Sequence, residues 1–256
     1  MTDQEIRDIF DENLDMTLGE LSRITGRSRK ELLNILIEEW KDNIMLVKDA
    51  KQFGNISKGN TKMPGTTFAI DAFACLVGSK LAQIKGTPCF SCYARKLQKL
   101  RPSVDKGWKD NLAKWQRADK SEWVTAMVFQ IERYNVDNYH RWFDSGDLQS
   151  VEMLRNIVDV ALLTPHIKHW LPTQERSILN EYREKYGQEP DNLTIRVSAS
   201  KIDTDKVPKF GNTSMVFTKN GKPIGKECKA STRGNQCGPC RACWSKDVPT
   251  VSYPKH

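Results

Sequence analysis

Residues 139–200 read YHRWFDSGDLQSVEMLRNIVDVALLTPHIKHWLPTQERSILNEYREKYGQEPDNLTIRVSAS, and this stretch decides the fold. It holds three short runs rich in aromatic and β-branched residues: YHRWF at 139–143, IKHWL at 167–171 and LTIRVSA at 193–199. Two amphipathic segments of helical length, VEMLRNIVDVALL and ERSILNEYREKYG, separate them. Strands that alternate with helices pair in parallel through right-handed crossovers. The expected class is α/β, as an open parallel sheet or an incomplete (β/α) barrel.

Toward the amino terminus, TTFAIDAFACLV from residue 66 is apolar and β-prone, and a basic helical stretch runs from roughly 94 to 133. Residues 66–256 therefore read as the main domain, closing in a cysteine-rich segment. Residues 49–65, DAKQFGNISKGNTKMPG, read as a linker or ordered loop. Residues 1–48 read as a small helical module. Ile6, Ile9, Phe10 and Leu14 repeat at helical spacing, then Leu18, Leu21 and Ile24; after Gly26 and a capping Ser28 come Leu32, Leu33, Leu36 and Trp40. Helix, glycine turn and helix is the helix-turn-helix pattern, with Arg27, Arg29 and Lys30 where a recognition helix meets DNA. A helical hairpin packed on the main domain is the other reading.

The 256 residues carry a formal charge of +8. Segment 80–120 holds eleven Lys or Arg against Asp105, Asp110 and Asp119, which accounts for the whole excess. Such a segment attracts nucleic acid or an acidic host protein, unless it is a solvated helix face. No apolar run approaches the ~20 residues that span a bilayer, and the acidic start MTDQEIRDIFDENLD is no secretory signal. No membrane association and a reducing cytoplasm are the expectation, so seven cysteines point to metal ligation before disulfides.

Those cysteines are Cys75, Cys89, Cys92, Cys228, Cys237, Cys240 and Cys243. GTPCFSCYA holds one CxxC, and CKASTRGNQCGPCRACW holds a C-x8-C-x2-C-x2-C array in which Gly238 and Pro239 favour a tight turn. Three thiols at that double spacing match the first ligands of a ferredoxin-type run, although Trp244 stands where such a run has proline. The expectation is an iron–sulfur cluster, of the 4Fe-4S kind, larger or double. Zinc on Cys89, Cys92 and two carboxyl-terminal thiols is the alternative, and inert buried thiols a third reading. Zinc leaves three cysteines unused.

Ligands bind at the carboxyl ends of strands in open α/β sheets, and those ends are polar here. Asp144-Ser145-Gly146-Asp147 follows the first strand, Pro172-Thr173-Gln174-Glu175-Arg176 overlaps the end of the second, and Arg196, Ser198 and Ser200 lie in the third. Asp144, Asp147, Arg196 and Ser198 are candidates for a small-molecule or proton-transfer site, whereas Ser150 and Thr173 read as helix caps. His140 is a candidate proton carrier or ligand, against the commoner use of a hydrogen-bonded core histidine.

The motifs GNTKMPGTTFAIDAFAC, GTPCFSCYA, HRWFDSGDLQS, WLPTQE, RVSAS, CGPCRACW and DVPTVSYPKH resemble those of the phage gene product 88-like proteins over about residues 53–256. The resemblance implies a virus-encoded protein acting in a bacterial host, with the cysteine array as a hallmark; it carries no reaction. A looser similarity is to the partial barrels of radical S-adenosylmethionine enzymes. Their C-x3-C-x2-C loop is absent, so radical chemistry is not carried over. The two functional expectations are a cluster protein with a redox or substrate-binding rim and a zinc-stabilised nucleic-acid-binding protein.

Overall fold

The computed structural model describes the chain except residues 14, 15, 17, 42–45, 60 and 256, and the side chains at 11, 33 and 37–41. Leu14, Leu33 and Trp40 of the apolar stripes lie outside the described residues.

The stretch 139–200 folds as its pattern implies. It gives β2 (Tyr139–Trp142), α9 (Val151–Leu163), β3 (Lys168–Thr173), α10 (Arg176–Tyr186) and β4 (Leu193–Ser198). Ahead of them come β1 (Thr66–Phe68), α5 (Leu76–Leu81), α6 (Tyr93–Leu100), α7 (Pro102–Arg117) and α8 (Lys120–Tyr134). After them come β5 (Thr213–Phe217), the two-residue β6 (Lys226–Glu227) and β7 (Thr250–Pro254). The strands form one sheet in the order β1-β2-β3-β4-β5-β7-β6, with every pairing parallel. Within it β1 to β5 lie in chain order, as successive right-handed crossovers require.

Alternation divides the sheet into two faces. Phe68, Trp142, Leu171, Leu193, Ile195 and Val197 enter a core with Met127 and Ile131 of α8, Ile157 and Ala161 of α9, and Leu179 of α10. Each such side chain stabilises the fold by ~1.5–3 kcal/mol, so this layer carries most of the stability. The opposite face is polar and aromatic: Thr67, Arg141, Trp170 and Thr194 stand in one register row. That face is concave. Trp170 on β3 and Tyr253 on β7 stack with ring centroids 6.4 Å apart, although three inter-strand steps of ~4.8 Å separate their strands. The sheet therefore curls as an incomplete barrel does, and among the described strands β1 and β6 do not meet.

At the amino end lie α1 (Asp3–Glu12), α2 (Leu18–Thr25) and α3 (Arg29–Lys41), with α4 (Val47–Phe53) following. Ile6, Leu18, Leu21, Leu32 and Ile35 make a small core of their own, capped by Leu162 and Leu163 of α9. Thr2 and Glu5 form a capping box at the start of α1. Gly26 turns the chain between α2 and α3 at a φ of 68°, where side chains are disfavoured. No helix among the described residues is long and apolar enough to cross a membrane.

Candidate functional site

The carboxyl ends of β1, β2 and β3 build one rim. After β2, Phe143 takes a φ of 52°, a left-handed conformation that costs a bulky residue about 1–3 kcal/mol. This turns Phe143 into the core and returns Asp144 to the concave face, where its Oδ2 accepts from Thr67 Oγ1 at 3.2 Å. Gly146 has a φ of 86°, and a Cβ there would lie 2.2 Å from Ile70 Cγ1, so the turn needs glycine. Asp147 is buried and accepts from Thr173 Oγ1 at 2.6 Å and from the amides of Gln174 and Leu148 at 2.8 Å. Burial pushes its carboxyl up to about 7, against the pull of those donors.

Three thiols gather beside Asp147. Cys75 precedes α5, while Cys89 lies within and Cys92 directly follows a 3₁₀ turn, Pro88–Ser91, capped by Thr87. Gly78 makes the notch between them: a Cβ there would lie 2.9 Å from Cys75 Cβ, 3.6 Å from its Sγ and 3.7 Å from Cys89 Sγ. Glu175 Oε1 fixes the start of α5 by accepting from Val77 N at 2.7 Å. Burial raises the Cys75 thiol, with Asp147, Cys92 and Cys89 adding to it. Burial likewise pushes Cys89 up to about 12. Without a cation the Cys75 and Cys89 thiols stay protonated at neutral pH.

The other four form a second group. Cys228 N donates to Ser252 O at 2.8 Å and Cys237 N to Lys62 O at 2.7 Å. Cys243 Sγ lies 3.2 Å from the Tyr253 hydroxyl, and burial pushes its thiol up to about 12. Cys228 and Cys240 both act on Cys237, and Cys228 acts on Cys243. All seven thiols are free of disulfides. The seven thiols thus fall into two groups. The reason is that Arg196 and Trp244 tie the carboxyl-terminal segment lower on the concave face. Arg196 is wholly buried and donates to the carbonyls of Cys243, Ala242, Ser245, Thr213 and Pro249 at 2.7–3.4 Å. Trp244 Nε1 donates to His140 O at 2.9 Å, and its ring meets Tyr139 and Trp170 edge-on.

Among the described residues, no three His, Cys, Asp or Glu side chains stand close enough to hold a single metal ion. A cluster is more tolerant, because each thiolate binds a different iron and the sulfurs stand further apart. As a donor set, all-thiol groups with a glycine notch and no competing disulfide fit a thiolate-ligated centre.

Other expected site residues fall elsewhere. His140 is fully buried on the helix-covered face, its Nδ1 2.8 Å from Thr66 Oγ1, as a core histidine. Ser198 Oγ lies 3.1 Å from Ser214 Oγ on the concave face. Ser150 caps α9 through Met153 N at 3.1 Å. Thr173 stands two residues before the N-cap of α10, Glu175; its hydroxyl donates to Asp147 and accepts from Glu175 N at 2.9 Å. In the amino-terminal helices Arg27 pairs with Asp3 at 3.6 Å and Lys30 is exposed. Arg29 acts on Asp159 and Tyr182 of the main body, so its guanidinium faces inward. Segment 80–120 contains α6 and α7, where Lys106–Asp110 and Lys109–Asp105 pair across helical turns.

Three residues of the concave face lay outside the sequence reading. Arg141 stacks on Trp170, with Cζ 4.5 Å from the ring centroid. Tyr93, next to Cys92, donates to Asp144 O, and Tyr253 meets Cys243. Alternation in YHRWF carried the signal for Arg141: an arginine sharing a strand face with Tyr139 is aimed away from the helices.

No curated protein and no solved structure matches this chain. The family model described as Gene product 88 matches residues 48–246, nearly all of the curled sheet and both cysteine groups. The chain thus belongs to the Gene product 88 family, the phage family whose motifs its sequence resembles.

Proposed function

We propose that this protein is an iron–sulfur protein with two thiolate centres, one at the mouth of the curled sheet and one within it. Cys75, Cys89 and Cys92 would hold the first, and Cys228, Cys237, Cys240 and Cys243 the second. The observation that carries this reading is the notch at Gly78, which lets thiols from two separate turns approach beside Asp147 and Glu175. A thiol trio leaves one iron of a cubane without a protein ligand, and such an iron supplies a Lewis-acidic or redox-active position. The four-thiol group has no such vacancy, which suits electron storage or a structural role.

The chain's own residues set what such a site can do. Asp147, held neutral or charged near pH 7, can take or give a proton at the rim. Glu175 and Thr173 position Asp147 and the α5 turn. Trp170, Trp244 and Tyr253 keep water from the inner floor. Purification without oxygen, followed by iron, acid-labile sulfide and visible absorption, tests the proposal. Brown protein with matching iron and sulfide supports it, and colourless protein holding stoichiometric zinc rejects it.

A further inference from the structure

Two arginines reach into the concave face, and they are treated differently. Arg196 is satisfied by five backbone carbonyls and serves the fold. Arg141 has only a 3.7 Å contact to Met63 Sδ, the Trp170 ring beneath it and the nearby Tyr93 hydroxyl. Its Nε is enclosed and unpartnered, and no carboxylate forms an ion pair with it among the described residues. Asp144 acts on it from beyond ion-pair distance, and an enclosed guanidinium left without a direct partner is costly, so folded proteins pair such groups.

Its surroundings repeat the pattern. Nine buried side-chain polar atoms among the described residues lack a partner, and six belong to Arg141, Asp144, Ser145, Trp170, Gln174 and Arg176. Five of these residues sit on β2, β3 or the turns that follow these strands, and Arg176 opens α10. Ser145, Trp170 and Gln174 are themselves more than nine-tenths buried. Native proteins leave few such groups unsatisfied, and a concentration at one strand-end rim marks a ligand. Arg141 keeps part of its surface open, so the site can be reached.

We infer that the rim binds a small oxyanion, a carboxylate or phosphate, on Arg141, and that the same ligand carries a hydroxyl or amine donor for the free Oδ1 of Asp144. The guanidinium offers a planar fork that matches either anion. Asp144 Oδ2 is already held by Thr67, which leaves Oδ1 as the acceptor for the donor arm. This rests on the rim being the functional site, as proposed above, and not on the metal's identity.

Titration calorimetry of the full chain, as purified and after metal removal, tests it with lactate, propionate, glycerol 3-phosphate and inorganic phosphate. Binding of lactate or glycerol 3-phosphate is expected, and Arg141→Met weakens it by ~10- to 100-fold, the loss of one charge-assisted hydrogen bond. Arg141→Lys retains part of it, and Asp144→Asn narrows the preference for lactate over propionate. Circular dichroism of each variant separates lost binding from lost folding. Unaltered protein that ignores all four probes overturns the inference, as does binding that survives intact in folded Arg141→Met. Because metal content is measured in the same samples, an iron-loaded protein that binds no anion refutes this inference alone. An anion-binding protein without iron refutes only the proposed function.

Discussion

Arg196→Met separates the concave face from the cysteine-rich segment it holds. The wild-type guanidinium makes five hydrogen bonds to carbonyls, with Ala242 and Ser245 closest at 2.7 Å, and is wholly buried. Bonds from a charged donor contribute ~1.5–3 kcal/mol each, but five on one side chain do not add independently. Methionine fills most of the volume and leaves the carbonyls buried and unpaired, so a loss of about 4–5 kcal/mol is expected. With a urea slope of ~3 kcal/mol/M for a chain of this size, the midpoint falls by ~1.5 M. Amide exchange should locate the damage: Cys243 to Ser245, together with β7, lose protection, while α8 and α9 keep theirs. Arg196→Lys, which can make at most three of the bonds, should lose about half as much. An Arg196→Met protein with an unchanged midpoint and a protected 242–245 segment would refute the assignment of Arg196 to the fold.

Other consequences can be checked together. Gly78→Val places a side chain where only 2.9 Å separates the new Cβ from Cys75 Cβ; metal bound at the mouth should fall with helical content unchanged, read by metal analysis and circular dichroism. Cys89→Ser and Cys240→Ser should each remove part of the metal, and the double variant nearly all of it. His169 is fully buried, accepts from Trp142 Nε1 at 3.2 Å and lies 2.8 Å from Thr164 Oγ1, and burial holds its imidazole down to about 3. The unfolded chain protonates this residue near pH 6.5 and the folded chain does not, so its contribution is whole above that pH and is lost as pH falls toward 3. The ceiling is ~5 kcal/mol, and urea midpoints measured from pH 7 to 4 should decline, less steeply in His169→Asn.

The three central strands and two helices of 139–200 were legible because each segment had one unambiguous period and enough length. β5 was missed because TSMVF is short and lies between turn-rich stretches; β6, at two residues, carries no pattern at all. TTFAIDAFACLV promised a longer strand than β1, whose three residues end where Asp71 and Phe73 turn the chain toward α5. The cysteines stood out as candidate ligands from spacing alone. Their division into two groups was not, since it depends on Arg196 and Trp244 reaching across from distant strands. Asp147 was recognisable as more than a cap, but its partner Thr173 was read as one, because a hydroxyl near a helix start satisfies either role. Arg141 was overlooked because its meaning lies in what fails to meet it, and a missing partner is visible only in three dimensions.

X-ray absorption at the iron and zinc edges of anaerobically prepared protein tests the central claim most directly. Two thiolate centres of the cluster type predict iron surrounded by sulfur with a second shell of iron scatterers, diminished in Cys89→Ser and in Cys240→Ser alike. Zinc with a single sulfur shell at ~2.3 Å and no iron would contradict it.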